Sequence, residues 1–464
     1  MASDTPVLLA RATRASLIAP AGFGKTDVIA RAVAQHAESP QLVLTHTHAG
    51  VRALRERLAR YGASPSSFHL DTIAGFALRY AASFPRTSNI DTTQPMGDQW
   101  VETYGAATRV LSTRFGARVV ANSFKGVFVD EYQDCTPSQH ALILQLAEIL
   151  PTRLVGDPLQ GIFEFGGGVV DWERDVFPAF ARLDDLEEPW RWRFTNPDLG
   201  DWLVELRKNL LSGIKTSLSA APIRWKSSTH PAEQLAQCKA LGETAGSVVA
   251  IRKWPHQCHP LAGRLGGVFT SMEEVESRDL QTYAKKLQEA TGAKRVEVLF
   301  EFTSKCMTAV SPDFGSMRKT VASGGKPKVP STGKKRAVVE NVIALVNDDE
   351  LIRVVPAMKA IERASTGNLY RGELWAEMQQ AIALFSSEPE HETLAKAAWV
   401  VRDLGRHHGR KMAPKVVSRT LLVKGLEFDH SIVLDASELE TKDLYVAMTR
   451  GSSSLTVLSE SSTV

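Results

Sequence analysis

Lys25 and Thr26 close the run Ala19-Pro-Ala-Gly-Phe-Gly-Lys-Thr26. A lysine and a hydroxyl directly after a glycine loop are suited to holding phosphate together with a divalent cation. Glycines let backbone N–H groups converge on phosphate oxygens, where side chains would block the approach. A helix starting there adds its positive end. Lys25 would then reach the β- and γ-phosphates of a nucleotide and Thr26 would hold Mg²⁺, with Ala21, Gly22, Phe23 and Gly24 forming the cradle. A plain glycine turn between strand and helix would use the same glycines, and the strict pattern has glycine where Ala19 stands. A second group bears on the choice. Asp130 and Glu131 directly follow the apolar run Gly126–Val129. One carboxylate at a strand end can hold the cation, and its neighbour can accept a proton from attacking water. Capping the next helix would need one acid or hydroxyl, not Asp-Glu-x-x-Asp. Gln160, ending Gly-Asp-Pro-Leu-Gln, is a neutral side chain able to sense a phosphate or orient water.

These residues need strands and helices to position them. Ser16–Ala19 reads as a buried strand, and Val28, Ile29, Ala32 and Val33 as the apolar face of a helix. Residues 41–48 read as a strand ending in Thr-His-Thr-His. Ligands of open α/β sheets bind beyond that edge, so Thr47 and His48 could hold phosphodiester oxygens. The basic face of the helix expected at 49–61 is a solvated surface. His69 begins a short strand or turn leading into a helix, and residues 80–122 read as a small, mostly helical insertion. Residues 136–150 read as a helix capped before Pro137. Phe163 and Phe165, beside three glycines, suit either a core or base stacking. Between 186 and 196, aromatics alternate with arginines, as a phosphate-reaching arginine or a surface cation–π cluster would require. Further on, helix, strand and helix are expected over 200–245, then strands at Gly246–Ile251 and Gly267–Thr270. Residues 280–310 and 337–408 read as helices. Between them, 315–336 holds seven Lys/Arg and no acid, a loop suited to a phosphate backbone or simply to solubility. Two strand-like runs flank Lys424-Gly-Leu-Glu-Phe-Asp, and Asp443–Arg450 heads a short helix before a last strand at Ser454–Leu458. The result is two α/β blocks, with the phosphate loop only in the first.

A chain of 464 residues allows two to four domains, and 43% hydrophobic with 23% charged residues is ordinary for a globular protein. No apolar run reaches the length of a membrane span, and the first residues lack a secretory pattern. The four scattered cysteines suit reduced thiols and a cytoplasmic setting. A net charge of +3 neither demands nor excludes nucleic acid.

Taken in order, these motifs resemble those of UvrD/Rep-type superfamily-one DNA helicases. Ala19–Thr26 is similar to motif I, Leu44–Arg57 to motif Ia, Thr72–Arg79 to motif Ib, Val129–Gln133 to motif II and Gly156–Gly167 to motif III. Leu186–Asn196, Arg419–Asp429 and Leu444–Arg450 resemble motifs IV, V and VI. The resemblance implies two RecA-like α/β domains with parallel sheets, each carrying a helical insertion. These would span 1–185, with its insertion at 80–122, and 186–464, with a reduced insertion at about 275–410. It implies an ATP hydrolase that moves along or unwinds single-stranded or tailed duplex DNA in the 3′→5′ direction. By position, Lys25 and Thr26 bind phosphates and Mg²⁺, Asp130 assists Mg²⁺, and Glu131 is the general base. Gln160 couples the γ-phosphate to DNA, Arg191 and Arg450 reach the γ-phosphate, and Glu427 lies near the ribose. Thr47, His48, Thr72, Phe165 and Trp192 are the expected DNA contacts. Departures are a missing glutamine motif, His46 in place of a phenylalanine, Gly166 in place of an arginine, and Arg419 and Leu421 in place of Thr and His. The chain stops just after motif VI, so no nuclease tail is expected. By analogy of size, such a compact member could serve beside a separate nuclease partner in antiviral defence. The other reading is an ATPase that senses DNA or nucleotide and regulates a partner without unwinding.

Overall fold

The computed structural model describes residues 4–90, 95, 97–162, 168–274, 278–348, 350–387, 392–408 and 413–464. The chain forms two compact units, each built on a six-stranded sheet. The first comprises residues up to Ile223 together with Leu439–Ser453 and Thr463–Val464; the second comprises Arg224–Glu438 and Ser454–Ser462. The fold class is α/β, as expected. The first unit runs beyond the expected boundary at 185/186, because the helix Pro197–Ser212 and the segment around Tyr445 pack with the phosphate loop.

In the first unit the strands are β1 (Arg14–Ile18), β2 (Gln41–Thr45), β3 (Phe68–Thr72), β4 (Gly126–Val129), β5 (Thr152–Gly156) and β6 (Ala181–Arg182), in the order β3-β2-β4-β5-β1-β6. Every neighbouring pair in this sheet is parallel. Short apolar runs form these strands because helices cover both faces, so β2, β4 and β5 are buried along their whole length. Parallel pairing brings all strand C-termini to one edge. Ile18 lies opposite Gly156, and Val129 opposite Leu154. The loops after β1, β4 and β5 therefore emerge together. β5 separates β1 from β4, two strand spacings of about 4.8 Å each. The intervening slot is one that a lysine side chain can cross.

The insertion expected at 80–122 is helical, with helices Pro85–Ser88, Gln99–Ser112 and Arg114–Ser123. Tyr104, Ala107, Val110 and Leu111 of this insertion join Phe76, Tyr80, Leu142 and Leu146 in one core. The helix Pro137–Ala147 starts where the sequence indicated. Thr136 and Gln139 form a reciprocal capping box, and Pro137 needs no helical N–H partner there.

The second unit holds β7 (Arg224–Lys226), β8 (Val248–Arg252), β9 (Thr270–Ser271), β10 (Lys415–Arg419), β11 (Phe428–Val433) and, from Ser454 on, β12 (Gly451–Leu458), in the order β7-β12-β11-β8-β10-β9. The strand expected at Gly267–Thr270 is shorter than its apolar pattern suggested, since Gly266 and Gly267 turn with φ of +67° and +83°. Among the described residues, seven helices from Arg278 to His408 fill the interval between β9 and β10. They enclose a core that includes Phe300, Phe302, Val342, Met358, Trp375 and Ile382. The loop expected over 315–336 is half helix: Val310–Ala322 is helical, and another helix begins at Lys334. Among the described residues, no helix is long and apolar enough to cross a membrane.

Candidate active site

The phosphate-loop sequence folds as a loop because two glycines take left-handed backbone angles, φ +78° at Gly22 and +84° at Gly24. Gly24 is the N-cap of the helix Lys25–Arg31, whose first N–H groups have no carbonyl behind them within the helix. Gly22 has a second requirement. A Cβ there would lie 2.6 Å from the Trp192 ring and 2.9 Å from Cβ of Arg191. The Arg191 N–H donates to the Gly22 carbonyl at 3.0 Å. The Tyr445 hydroxyl accepts from the Ala21 N–H at 3.2 Å.

Lys25 is 9% exposed, and its Nζ lies 3.2 Å from the Glu131 carboxylate. Thr26 Oγ1 donates to Asp130 Oδ2 at 3.3 Å, and Asp130 Oδ1 accepts from the Glu131 N–H at 2.9 Å. Glu131 itself has φ +56°, a conformation that side chains rarely adopt and that concentrates at functional sites. Burial opposes the charge on Lys25, but Glu131, Asp157 and Asp130 outweigh it and raise its pKa. Burial, with the neighbouring Glu131 charge, pushes Asp130 up to about 7.

Gln133, which the sequence reading passed over, ties two loops together. Its amide nitrogen donates to Glu131, and its oxygen accepts from the Asp157 N–H at 2.9 Å. Asp157 is fully buried and accepts from Gln160 Nε2 at 2.8 Å and from Arg207 at 2.6 Å. Gln160 is thus beside the carboxylate cluster, 3% exposed. Arg207 and Tyr445 were also missed. The only signal for Gln133 was an amide among three acids after a strand, and Arg207 carried none within its mixed helix.

Arg191 and Arg450 meet at one place. The Arg191 guanidinium donates to the Thr449 carbonyl at 2.6 Å. The Arg450 guanidinium, 1% exposed, donates to the Val446 carbonyl at 2.8 Å and the Thr449 hydroxyl at 2.8 Å. Through Arg191 on Gly22 and Tyr445 on Ala21, both segments rest on the phosphate loop.

Among the expected DNA contacts, two need correction. Trp192 is fully buried, and its indole N–H donates to the Gly451 carbonyl at 2.8 Å, so it offers no face to a base. Thr72 is 4% exposed, and its hydroxyl caps the helix Ile73–Ser83 by accepting from the Gly75 N–H. Thr47 likewise caps the helix His48–Arg60 but stays exposed, and His48 is half-buried at that helix start. Phe165 lies outside the described residues. Glu427 is exposed in the second unit, just before β11. Trp190, by contrast, is half-exposed beside the loop, its ring 3.8 Å from a Cβ placed on Gly24.

The residues present fit a nucleoside triphosphate with its cation. The glycine cradle and a buried ammonium suit the phosphates. Thr26 and Asp130 are hard oxygen donors suited to Mg²⁺, which takes the rest of its shell from phosphate and water. Among the described residues, no group of three or more His, Cys, Asp or Glu could hold a metal by itself.

A parallel sheet, a glycine loop with a buried lysine, and a carboxylate pair at the end of another strand of that sheet define a nucleotide-binding protein of the P-loop class. Within that class, residues 107–172 match the family model of the UvrD/REP helicase N-terminal domain. That segment contains Asp130, Glu131, Asp157 and Gln160. No curated protein matches the sequence. Among solved structures, the arterivirus nonstructural protein 10 helicase with DNA is 14% identical, with a TM-score of 0.28 over 53% of this chain and 49% of that one. The same arterivirus protein in a second crystal structure is 10% identical, with a TM-score of 0.36 over 98% of this chain and 61% of that one. The chain thus spans about half to three fifths of the length of those chains.

Proposed function

We propose that the protein is an ATP-dependent, single-stranded DNA translocase or helicase acting in the 3′→5′ direction. The observation that carries its ATP-hydrolysing part is the opposition of Lys25 and Thr26 to Glu131 and Asp130, at 3.2 and 3.3 Å, across the edge of one parallel sheet, while DNA and direction rest on the motif resemblance. Bound Mg²⁺–ATP would supply the phosphoanhydride bond whose cleavage drives movement. Lys25 binds the phosphates and Thr26 and Asp130 orient the cation. Glu131 accepts the proton of the attacking water. Trp190, half-exposed beside the loop with the Arg193 guanidinium over its ring, is the aromatic side chain placed to meet the base, in a chain that lacks a glutamine motif.

Arg191 and Arg450 complete the charge stabilisation. On that reading, Arg191→Ala and Arg450→Ala lower kcat more than they weaken ATP binding. A loss confined to affinity would remove both from that role. The deciding experiment is strand displacement on 3′- and 5′-tailed duplexes, run alongside ATP hydrolysis with single-stranded DNA, duplex DNA, RNA and nothing. Displacement from the 3′ tail with DNA-stimulated hydrolysis is expected. Hydrolysis that ignores every nucleic acid would overturn the reading.

A second reading, a DNA- or nucleotide-sensing ATPase that regulates a partner such as a nuclease without unwinding, has its own support. Trp192 and Thr72 are committed to the fold, and Arg419, which replaces a motif V threonine, is paired with Glu274. DNA-stimulated hydrolysis without displacement would favour it.

A further inference from the structure

We infer that Asp27 is a positioning residue that transmits the state of the phosphate site to the helix His48–Arg60, and so couples hydrolysis to single-stranded DNA. This rests on the proposed function.

Asp27 directly follows Thr26 and lies in the first turn of the helix Lys25–Arg31. An acid there would ordinarily do no more than complement the positive end of its own helix. Its carboxylate instead reaches a different helix by both oxygens. The Tyr61 hydroxyl donates to Oδ2 at 2.6 Å, and Arg57 donates to Oδ1 at 3.2 Å. Burial and this hydrogen bond raise the pKa of Tyr61, which keeps the phenol protonated as a donor. Tyr61 is the C-cap of His48–Arg60, and Arg57 lies one turn earlier.

The far end of that helix is fixed as well. Thr47 caps it by accepting from the Gly50 N–H, and Gly50 packs so closely on Thr45 that a Cβ would meet its hydroxyl at 2.7 Å. The N-terminal end, with Thr47 and His48, lies at the sheet edge where DNA is proposed to bind. Thirteen helical residues make a rod of about 20 Å. A shift at Thr26–Asp27 therefore loads the whole rod, and the Thr47–Gly50 cap, packed on Thr45 of β2, is where that load meets the sheet edge. The same logic runs in reverse from DNA to phosphate, since coupling between sites is reciprocal. None of the groups in this link touches the reacting phosphate in the proposed mechanism.

The test uses the full chain with Asp27→Asn and, separately, Tyr61→Phe, each of which keeps shape and removes one partner of the link. ATP hydrolysis is measured with and without a single-stranded oligonucleotide, together with the ATP KM and the melting temperature. Both variants should keep the basal rate and the ATP KM within about two-fold, while stimulation by DNA falls about five-fold or more, the lower end of typical coupling. Undiminished stimulation in both variants overturns the inference. An equal fall of basal and stimulated rates also overturns it, because Asp27 would then serve the catalytic site itself. If the unmodified protein shows no stimulation by any nucleic acid, the proposed function fails before the variants are compared.

Discussion

Lys25 is the residue on which the charge balance of the site turns. Its ammonium faces Glu131 and lies within electrostatic reach of Asp130 and Asp157. Lys25→Ala should abolish ATP turnover. It should also leave Asp130 and Glu131 repelling each other in a mostly buried site, while Asp157 keeps its Arg207 partner. The folded variant would then hold protons that its unfolded chain releases, so its stability falls as pH rises. The melting-temperature gap from the unmodified protein should be wider at pH 8 than at pH 5; an equal gap at both would mean that Lys25 does not balance these acids. Asp130 gives a related signature. Its carboxyl, ordinarily near 3.8, is raised to about 7, so between about pH 4 and 7 the native state binds the extra proton. Its contribution to stability therefore declines across that window and is level above it. Asp130→Asn should flatten that slope and raise the melting temperature at pH 8 in the nucleotide-free protein, while ending Mg²⁺-dependent hydrolysis. Glu131→Gln should bind ATP and lose about 10²–10⁴-fold in kcat, the range for a general base; normal turnover would reassign that role. The pair Lys25 and Asp130–Glu131 was legible in the sequence because spacing alone marks a glycine loop and a strand-end acid. Gln133, Asp157 and Arg207 were not, since a hydrogen-bond network across loops 24 and 50 residues apart leaves no local pattern.

Elements decide where those residues can act. The phosphate loop is packed from above by Trp192 and Arg191, so Gly22 is required for space as well as for its backbone angle. Gly22→Ala should cost about 1–3 kcal/mol in denaturant unfolding, as overpacking and a left-handed alanine would together imply. It should also weaken ATP binding. An alanine variant of native stability would show that the loop is loosely held. In the second unit, Arg371 sits just before the helix Gly372–Ser387 and is almost fully buried. Its guanidinium grips both oxygens of the buried Glu273, at 2.7 and 2.6 Å, and reaches Asp279 at 2.6 Å. Arg371→Met strands the Glu273 charge in the interior, for an expected loss of about 3–5 kcal/mol. Adding Glu273→Met should recover part of it, because an apolar pair leaves no buried charge. Alternation of aromatics and arginines at 186–196 was visible in the sequence, but which face is buried was not. Trp192 went inside and Trp190 stayed half-exposed because the chain there turns around Gly22 and Gly200. That choice is made by tertiary packing, which periodicity cannot see.

For the whole molecule, the α/β class and both helical insertions could be read from runs of apolar residues and their breaks. The extent of the first unit could not, because it gathers residues 439–453 from far along the chain. On the proposed function, charge decides how the protein holds a strand. Cations and anions nearly balance, 55 against 52, so no long-range field draws nucleic acid to the surface as a whole. On the proposed function, affinity comes from local contacts to phosphates, from exposed groups such as Thr47, Arg52, Arg55 and Arg60. Each neutralised phosphate releases counterions, and for single strands the logarithm of the affinity falls with the logarithm of salt by about 0.7 per contact. A motor that tracks a backbone through a handful of contacts, roughly three to six, should show a slope of about −2 to −4. Titrating a labelled single-stranded oligonucleotide at several NaCl concentrations measures it directly. A slope near zero would mean that no phosphate backbone is gripped, and a DNA-tracking mechanism would be untenable whatever the rate of ATP hydrolysis.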